Sequence, residues 1–275
     1  YEEWLKNTQP FHWIAEFYDI IRGEQGFDVI IGNPPYVEYN KKVKGLAISD
    51  LYKLENYKTL SCGNMYAYVM ERSIEIMAGN AYISMIVPLS RHSTERMAPL
   101  VTNFYEKFGL HLHLNLSADA NPQKLFEGVK FRLSIFFVTN NGEGRYSTKY
   151  TRWQAEERKF LFQALIHFNN IEDYQYQNII PKIPSPLFIN IVRKINADKT
   201  PYFINIGNYK CLYHNTPVNW IRSHSFVPYF CSERDGKGVT TQLKTLTFNT
   251  TNKVKVGSAI LNSSLFFIWW ICNSD

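Results

Sequence analysis

A short apolar segment followed by two prolines constrains the fold of this chain more than any other feature. Residues Phe27–Gly32 contain three consecutive β-branched apolar residues, and the sequence Asn33-Pro34-Pro35-Tyr36 follows directly. This pattern is typical of a buried parallel strand that leads into a rigid loop. Because ligands of open α/β sheets bind beyond the carboxyl ends of the strands, we expect this loop to lie in a functional site.

The residue types of the loop suit one kind of chemistry. Proline lacks an N–H group and has a fixed φ angle, so a Pro-Pro step is stiff and presents carbonyl oxygens without competing donors. The Asn33 side-chain oxygen and the Pro34 carbonyl can together accept both protons of a flat –NH₂ group, and Tyr36 offers a ring on which a planar base can stack. Preorganised acceptors stabilise the positive charge that develops on the attacking nitrogen, so no titrating base is required.

The strand and its Asn-Pro-Pro-Tyr loop resemble the catalytic motif of N6-adenine DNA methyltransferases. With the upstream residues 10–13 (PFHW), the segment is most similar to the fused restriction–methylation enzymes called type IIG. The resemblance implies S-adenosylmethionine as the cofactor and double-stranded DNA as the partner, with the target base flipped out of the duplex. It assigns catalysis to Asn33, Pro34, Pro35 and Tyr36, and it places Asn33 and Pro35 against the cofactor.

The hydrophobic pattern beyond this loop predicts the rest of an α/β sheet. It indicates a helix from Asn64 to Met77 that Gly79 and Asn80 end, a strand at 82–87, a helix at 94–108, and strands at 111–116 and 133–138. This order resembles the back half of a methyltransferase sheet, whose last two strands pair antiparallel. We therefore predict an α/β fold in which residues 1–145 form the C-terminal half of a Rossmann-like methyltransferase sheet.

Two aromatic residues outside the loop receive roles from the same resemblance. The segment 125–135 is similar to the family loop whose aromatic residue stacks on the opposite face of the flipped adenine, so Phe126 becomes the stacking partner of Tyr36. The helix after Asn64 resembles the family segment that flanks the adenine of the cofactor, so Tyr66 is placed in that pocket.

The second half of the chain carries the whole basic excess. Residues 1–150 contain 16 Lys+Arg and 16 Asp+Glu, whereas residues 151–275 contain 14 and 8, and the chain has a net charge of +6. This asymmetry suits a module that faces a polyanion, and ordinary surface charge explains it equally well. On the first interpretation, the candidate DNA-binding residues are Lys130, Arg222, Arg234, Lys237 and Lys244.

The pattern after residue 140 predicts an α+β target-recognition domain over residues 146–275. A polar stretch at 140–147 is typical of a hinge between domains. Helical stretches at 154–168 and 186–195 precede short aromatic strands at 202–204, 209–213, 219–222 and 229–231. The apolar run 265–272 predicts a buried helix or strand, since its eight residues are far fewer than the ~20 that span a bilayer.

Several missing motifs narrow the function further. The four cysteines form no C-x-x-C pair, which predicts neither a zinc site nor a disulfide framework and suits a bacterial cytoplasm. No F-x-G-x-G turn, which cradles the cofactor in the family, and no convincing nuclease motif occurs in the printed sequence. We therefore expect an excised piece of a longer monomeric enzyme that is inactive alone and binds S-adenosylmethionine weakly or not at all.

Two other functions remain open at this point. Protein-glutamine N5 methyltransferases also present Asn-Pro-Pro-Tyr to a planar –CONH₂ group, although the basic second half and the Phe126 loop disfavour them. A non-catalytic subunit that sets DNA specificity is the other alternative. An F-x-G-x-G turn upstream of Tyr1 would favour an enzyme, and its absence there would favour the binding subunit.

Overall fold

The computed structural model of the protein divides into two compact units. Unit 1 comprises Tyr1–Asn190 with Asn273–Asp275, and unit 2 comprises Ile191–Cys272. The residues that the structure describes are 2, 3, 6, 12–23, 25–117, 125, 126, 131–164, 166–174, 178–197, 205, 207–215, 221–233, 236–238 and 242–274.

Unit 1 is built on a six-stranded mixed sheet. In chain order the strands are β1 (Phe27–Gly32), β2 (Met77–Pro88), β3 (Leu110–Leu116), β4 (Leu133–Thr139), β5 (Gly144–Thr151) and β6 (Asn169–Asn170). They lie in the order β1-β2-β4-β3-β5-β6. β1 is parallel to β2 and β3 is parallel to β5, whereas β4 is antiparallel to both β2 and β3. The α/β class and all four strands predicted before residue 140 are therefore confirmed.

Short helices connect and flank these strands. The α-helices are α1 (Trp13–Glu16), α2 (Ile48–Leu51), α3 (Met65–Ile76), α4 (Ala98–Lys107), α5 (Leu161–Ala164) and α6 (Pro186–Ala197). A π-helix covers Asp19–Gly23, and 3₁₀ helices cover Leu60–Cys62, Leu89–His92, Glu95–Met97 and Ala155–Phe160. The Asn64 side chain caps α3 by accepting a hydrogen bond from the Tyr66 N–H, at 3.4 Å.

The predicted ends of two helices are wrong. The helix expected to run to Met77 ends at Ile76, and β2 begins directly at Met77, which pairs with Phe27 of β1. Gly79 and Asn80 therefore lie inside a strand and do not terminate a helix. The helix expected at 94–108 begins only at Ala98, because the preceding residues Glu95–Met97 form a 3₁₀ helix. Pro99 lies in the first turn of α4, where proline is tolerated.

The core of unit 1 lies where β2 and β4 meet α3 and α4. It contains fully buried residues from all four elements: Ala67, Met70, Ile83, Leu100, Phe104, Phe136 and Val138. The rings of Phe104 and Phe136 meet edge to face, with centroids 5.7 Å apart. Such close packing between helix and strand fixes the sheet edge at which β1 and β2 end.

Strand β1 differs from its prediction because it is an edge strand of the described sheet. Val29 is 56% exposed and Ile31 is 78% exposed. The expectation of a buried strand is therefore wrong for the residues that the structure describes. The strand type and its parallel pairing with β2 are confirmed.

The polar stretch at 140–147, predicted as a hinge between domains, is partly a strand. Gly144 begins β5 with φ of 109°, and the strand pairs with β3. Asn115 Nδ2 donates hydrogen bonds to Ser147 Oγ at 2.9 Å and to the Thr148 carbonyl at 2.8 Å. These bonds allow polar residues to be buried inside a sheet. The predicted boundary at residue 145 falls within β5, and the functional division of the chain stays a prediction.

The helical stretch predicted at 154–168 is only partly helical. A 3₁₀ helix at Ala155–Phe160 and the single turn α5 are followed by the short strand β6. The helix predicted at 186–195 is confirmed as α6, and the boundary between the two compact units falls within it.

Unit 2 contains two small antiparallel sheets and two helices. Its strands are β7 (Tyr209–His214), β8 (Ser223–His224), β9 (Phe230–Ser232), β10 (Gly236–Gly238) and β11 (Leu243–Phe248), arranged as β11-β7-β8 and β10-β9. Its helices are α7 (Thr251–Leu261) and α8 (Ser264–Asn273). The strands predicted at 209–213 and 229–231 are confirmed, whereas β11 and α7 were not predicted. The strand predicted at 202–204 and residues 219 and 220 lie outside the described residues. The rest of the strand predicted at 219–222 is wrong, because Ile221 and Arg222 are not in a strand and β8 begins at Ser223.

The apolar run 265–272 forms most of α8, which confirms a helix, but its expected burial is largely wrong. Leu265 is 51% exposed, and in this run only Cys272 is buried. No single helix among the described residues has the length and hydropathy of a membrane span. The bent pair α7 and α8, which meet at 62°, passes that test only when both are counted together.

Candidate active site

The Asn-Pro-Pro-Tyr loop leaves the carboxyl end of β1, where the structure also places the carboxyl end of β2. The two strands are parallel, and Gly32 pairs with Met85. In the loop Asn33 and Pro35 are exposed, Pro34 is buried and Tyr36 is half-buried. The asparagine amide is therefore open to a ligand while the neighbouring proline anchors the loop to the protein.

The Tyr36 hydroxyl lies between two oxygen acceptors. It is 2.6 Å from Asn33 Oδ1 and 2.9 Å from the carbonyl oxygen of Ile86 in β2. A phenol carries one proton, so these two oxygens share a single donor. The side chain of Tyr36 thus links the exposed amide of the loop to the backbone of the sheet.

Aromatic rings hold Tyr36 from two sides. Its ring meets the rings of Tyr66 and Phe131 edge to face, with centroids 6.4 and 6.1 Å apart. Tyr66 is 1% exposed, and its hydroxyl lies 3.3 Å from Met97 Sδ. Burial raises the pKa of both Tyr36 and Tyr66 to about 12. Both hydroxyls therefore keep their protons near neutral pH.

A bidentate ion pair fixes the chain just after the loop. Arg96 Nη1 and Nη2 lie 2.9 and 2.6 Å from the two carboxylate oxygens of Glu38, and Asn64 Nδ2 donates to Glu38 Oε1 at 3.2 Å. The hydrogen bond from Arg96 is the main cause of the lowered pKa of Glu38. The Met65 N–H also donates to the Val37 carbonyl at 2.9 Å. The loop is therefore fastened to α3 and to the 3₁₀ helix Glu95–Met97.

Among the residues that the structure describes, no ring contact joins the two predicted stacking residues, Tyr36 and Phe126. Phe126 is described and 38% exposed, and the residues on either side of the pair 125 and 126 lie outside the described part of the chain. The aromatic residue that the structure brings against Tyr36 is Phe131, which is 53% exposed. The stacking role of Phe126 stays a prediction, as does the placement of Tyr66 beside a cofactor.

Sequence reasoning missed Phe131 and the pair of Glu38 with Arg96. The sequence signal for Phe131 was its position two residues before the predicted strand β4. In the structure, Leu133 of β4 pairs with Pro88 at the end of β2. That register places Phe131 at the same edge of the sheet as the loop. The ion pair carried no sequence signal, since its partners are 58 residues apart.

The predicted DNA-binding residues are exposed wherever the structure describes them. Arg222, Lys237 and Lys244 lie at the surface of unit 2, and Lys237 Nζ is 5.8 Å from the centre of the Tyr229 ring. Lys130 and Arg234 lie outside the described residues. Among the residues that are described, no three His, Cys, Asp or Glu side chains are grouped to hold a metal ion.

Comparisons with known proteins find matches in the first part of the chain. Residues 1–126 match the sequence model of the Eco57I restriction-modification methylase family. A curated protein of Methanocaldococcus jannaschii, whose name proposes a type II restriction enzyme and methyltransferase, is 29% identical over 118 residues. That alignment covers 42% of this chain and 9% of the relative, so the chain matches only a small part of the length of that protein.

Two solved structures are similar in part. A DrdV–DNA complex determined by cryo-EM has a TM-score of 0.43 and 16% identity, over 57% of this chain and 18% of that chain. A nuclease-deletion mutant of the Type ISP restriction-modification enzyme LlaGI, bound to a DNA substrate mimic, has a TM-score of 0.44 and 14% identity, over 67% and 21%. Residues 1–126, which contain the Asn-Pro-Pro-Tyr loop, thus match the Eco57I restriction-modification methylase family, and this match confirms the resemblance to restriction–modification methyltransferases.

Proposed function

We propose that this chain is part of a site-specific DNA adenine-N6 methyltransferase that uses S-adenosylmethionine and belongs to a bacterial type IIG restriction–modification enzyme. One observation carries the proposal: Asn33 is exposed at the carboxyl end of β1, and its Oδ1 lies 2.6 Å from the Tyr36 hydroxyl. A family-matched segment thus presents a held amide oxygen where a ligand of an α/β sheet binds.

The loop residues have separate tasks in this proposal. Asn33 Oδ1 and the Pro34 carbonyl accept hydrogen bonds from the two protons of the adenine amine, which turns the nitrogen lone pair away from the ring. These oxygens then stabilise the positive charge that grows on the nitrogen during methyl transfer. The rings of Tyr36 and Phe126 hold the flipped base by stacking.

The cofactor would supply an electrophilic methyl group, and the residues of this chain fit only one side of its site. Asn33 and Pro35 are exposed and available to it, whereas Tyr66 is 1% exposed and contacts the ring of Tyr36. No F-x-G-x-G turn occurs in the printed sequence. The cofactor contacts that such a turn provides must therefore come from residues outside this sequence.

The exposed edge of β1 supports the proposal of half a Rossmann-like sheet. An edge strand with exposed apolar side chains is prone to pair with another strand, and natural proteins protect such edges. Val29 and Ile31 are exposed on β1, and β4 lies antiparallel between β2 and β3, as the last strands of a methyltransferase sheet require. We infer that further strands continue the sheet beyond β1.

The second half of the chain is proposed to bind duplex DNA as a target-recognition domain. Arg222, Lys237 and Lys244 are exposed there. Side chains of this kind contact phosphates, which positions the protein, and base edges, which specifies the sequence. Recognition of the base sequence by unit 2 would place an adenine from a defined DNA sequence in the active site, and the amine of that adenine would receive the methyl group.

Sequencing of DNA from cells that express the natural full-length protein tests this function. The expected result is N6-methyladenine at one sequence motif, which disappears with Asn33→Ala while the affinity for DNA is retained. Methylated glutamine in a cellular protein, detected by mass spectrometry, would instead support the protein methyltransferase. DNA binding with no methylation of either substrate would support the specificity subunit.

A further inference from the structure

The contact between Tyr36 and Asn33 favours one orientation of the Asn33 amide. The distance of 2.6 Å from the hydroxyl to Asn33 Oδ1 is typical of an O–H···O hydrogen bond and is short for one that involves an amide nitrogen. An amide oxygen accepts two hydrogen bonds, so this bond leaves one lone pair of Oδ1 available. The residue is exposed, and that lone pair is therefore accessible to a ligand.

The hydroxyl is held on a rigid support. The Ile86 carbonyl, 2.9 Å from the hydroxyl, belongs to β2, where Ile86 pairs with Ile135 of β4 in the middle of the sheet. The ring is confined by Tyr66 and Phe131. Because its pKa is raised to about 12 by burial, the hydroxyl remains a hydrogen-bond donor throughout the usual pH range of an assay.

We propose that the Tyr36 hydroxyl is a positioning group that holds the Asn33 amide with Oδ1 towards the substrate amine. This inference rests on the proposed amine-methylating function of Asn33. Rotation of an exposed amide by half a turn would present Nδ2, a donor, to the amine and would remove the acceptor that orients it. The contact to Asn33 Oδ1 is the shorter of the two hydroxyl contacts, 2.6 Å against 2.9 Å, so we assign the single proton of the hydroxyl to Oδ1. A hydroxyl that donates to Oδ1 opposes that rotation, so Tyr36 acts through its oxygen as well as through its ring.

The Tyr36→Phe variant separates the two contributions, because it keeps the ring and removes only the hydroxyl. In the natural full-length protein, we expect the single-turnover methylation rate to fall by about 3- to 10-fold, the rate equivalent of one neutral hydrogen bond. Binding of the DNA and fluorescence of a 2-aminopurine placed at the target position should be unchanged, because the stacking ring remains.

The Tyr68→Phe variant is the matched control. Tyr68 is buried in unit 1, more deeply than the half-buried Tyr36, and its hydroxyl donates to the Leu60 carbonyl at 3.0 Å. The substitution therefore also removes a hydrogen bond from a tyrosine hydroxyl to an amide oxygen. We expect its methylation rate to equal that of the wild type. A similar loss in both variants would mean that any lost hydroxyl loosens unit 1 and would overturn the positioning role.

The outcomes also separate this inference from the proposed function. A wild-type protein that methylates no adenine contradicts the function itself. A wild-type protein that methylates adenine, with Tyr36→Phe at or above its rate, leaves the function standing and shows that the hydroxyl does not position Asn33. A rate increase would show that the hydroxyl competes with the substrate for Oδ1.

Discussion

The two compact units of this protein differ most in their charge. Unit 1 contains 20 Lys+Arg and 21 Asp+Glu, whereas unit 2 contains 10 Lys+Arg and 3 Asp+Glu, which gives formal net charges of −1 and +7. A concentrated basic excess attracts polyanions over a distance set by the ionic strength. Because unit 1 is nearly neutral, we expect it to add little electrostatic, sequence-independent affinity for DNA. We expect that affinity to come from unit 2.

The units also differ in where they place their aromatic residues. In unit 1, Phe104 and Phe136 are fully buried, and the Tyr36 ring meets the rings of two other aromatic residues edge to face. In unit 2, Phe226 and Tyr229 are 64% and 75% exposed. Buried rings fix the backbone that carries a catalytic loop, whereas exposed rings are available for contact. Stability should therefore depend on the rings of unit 1 far more than on those of unit 2.

Truncation of a core ring tests this difference and should have the largest effect. We expect Phe136→Ala to lower the free energy of unfolding by about 3–5 kcal/mol, because it leaves a cavity in a closely packed core. Tyr229→Ala, its counterpart in unit 2, should change it by no more than about 0.5 kcal/mol. Urea denaturation measures both, and equal losses would contradict the comparison.

Acid should weaken unit 1 through its buried histidines. Burial, with the nearby Arg91 guanidinium, lowers the pKa of His92 and His113 well below its usual value, and burial lowers that of His111 to about 4. Below pH 6.5 the unfolded chain takes up protons that the folded chain does not. Stability that is fully present above pH 6.5 is therefore lost as the pH falls, by up to about 1.4 kcal/mol per pH unit for each histidine.

The His111→Gln variant sharpens this prediction. His111 Nε2 lies 2.9 Å from the Phe108 carbonyl, and a glutamine amide can donate a similar bond without titrating. We expect the free energy of unfolding, measured between pH 7.5 and pH 5.5, to fall less steeply in this variant. A wild-type stability that does not change over that range would show that these histidines do not couple folding to pH.

Stacking on the flipped base should give an intermediate effect. We expect Phe126→Ala to weaken the binding of DNA that carries a flipped or mismatched target base by about 1–3 kcal/mol, the usual contribution of one base–aromatic contact. Phe131→Ala provides the comparison, because the structure places that ring against Tyr36. If only Phe131→Ala lowered the affinity, the stacking role would pass from Phe126 to Phe131.

Removal of one basic side chain from unit 2 should have the smallest effect. We expect Lys244→Gln to reduce the slope of log affinity against log salt concentration by about 1 and to weaken binding to all DNA sequences alike. Lys107→Gln is the control, since Lys107 is exposed in unit 1. An equal change in both variants would show that the charge difference between the units does not locate the DNA contact.

Local sequence patterns predicted the elements that surround the Asn-Pro-Pro-Tyr loop. The apolar strand before two prolines, the Asn64 cap and the alternation over 111–116 each depend on neighbouring residues only, and all three elements are present. The patterns failed where distant residues decide the structure. Strand β5 has a polar sequence that is typical of a loop, and it joins the sheet because Asn115, 32 residues away from Ser147, satisfies its buried polar groups.

The sequence by itself determined the Asn-Pro-Pro-Tyr loop and its position after a strand, because proline geometry and β-branched side chains act locally. Only the tertiary structure decided what surrounds that loop. It brought the Ile86 carbonyl to the Tyr36 hydroxyl, Arg96 to Glu38 and Phe131 to the Tyr36 ring. These contacts depend on the register of β2 and β4, which is set by the packing of the whole core and has no signature in any short stretch of sequence.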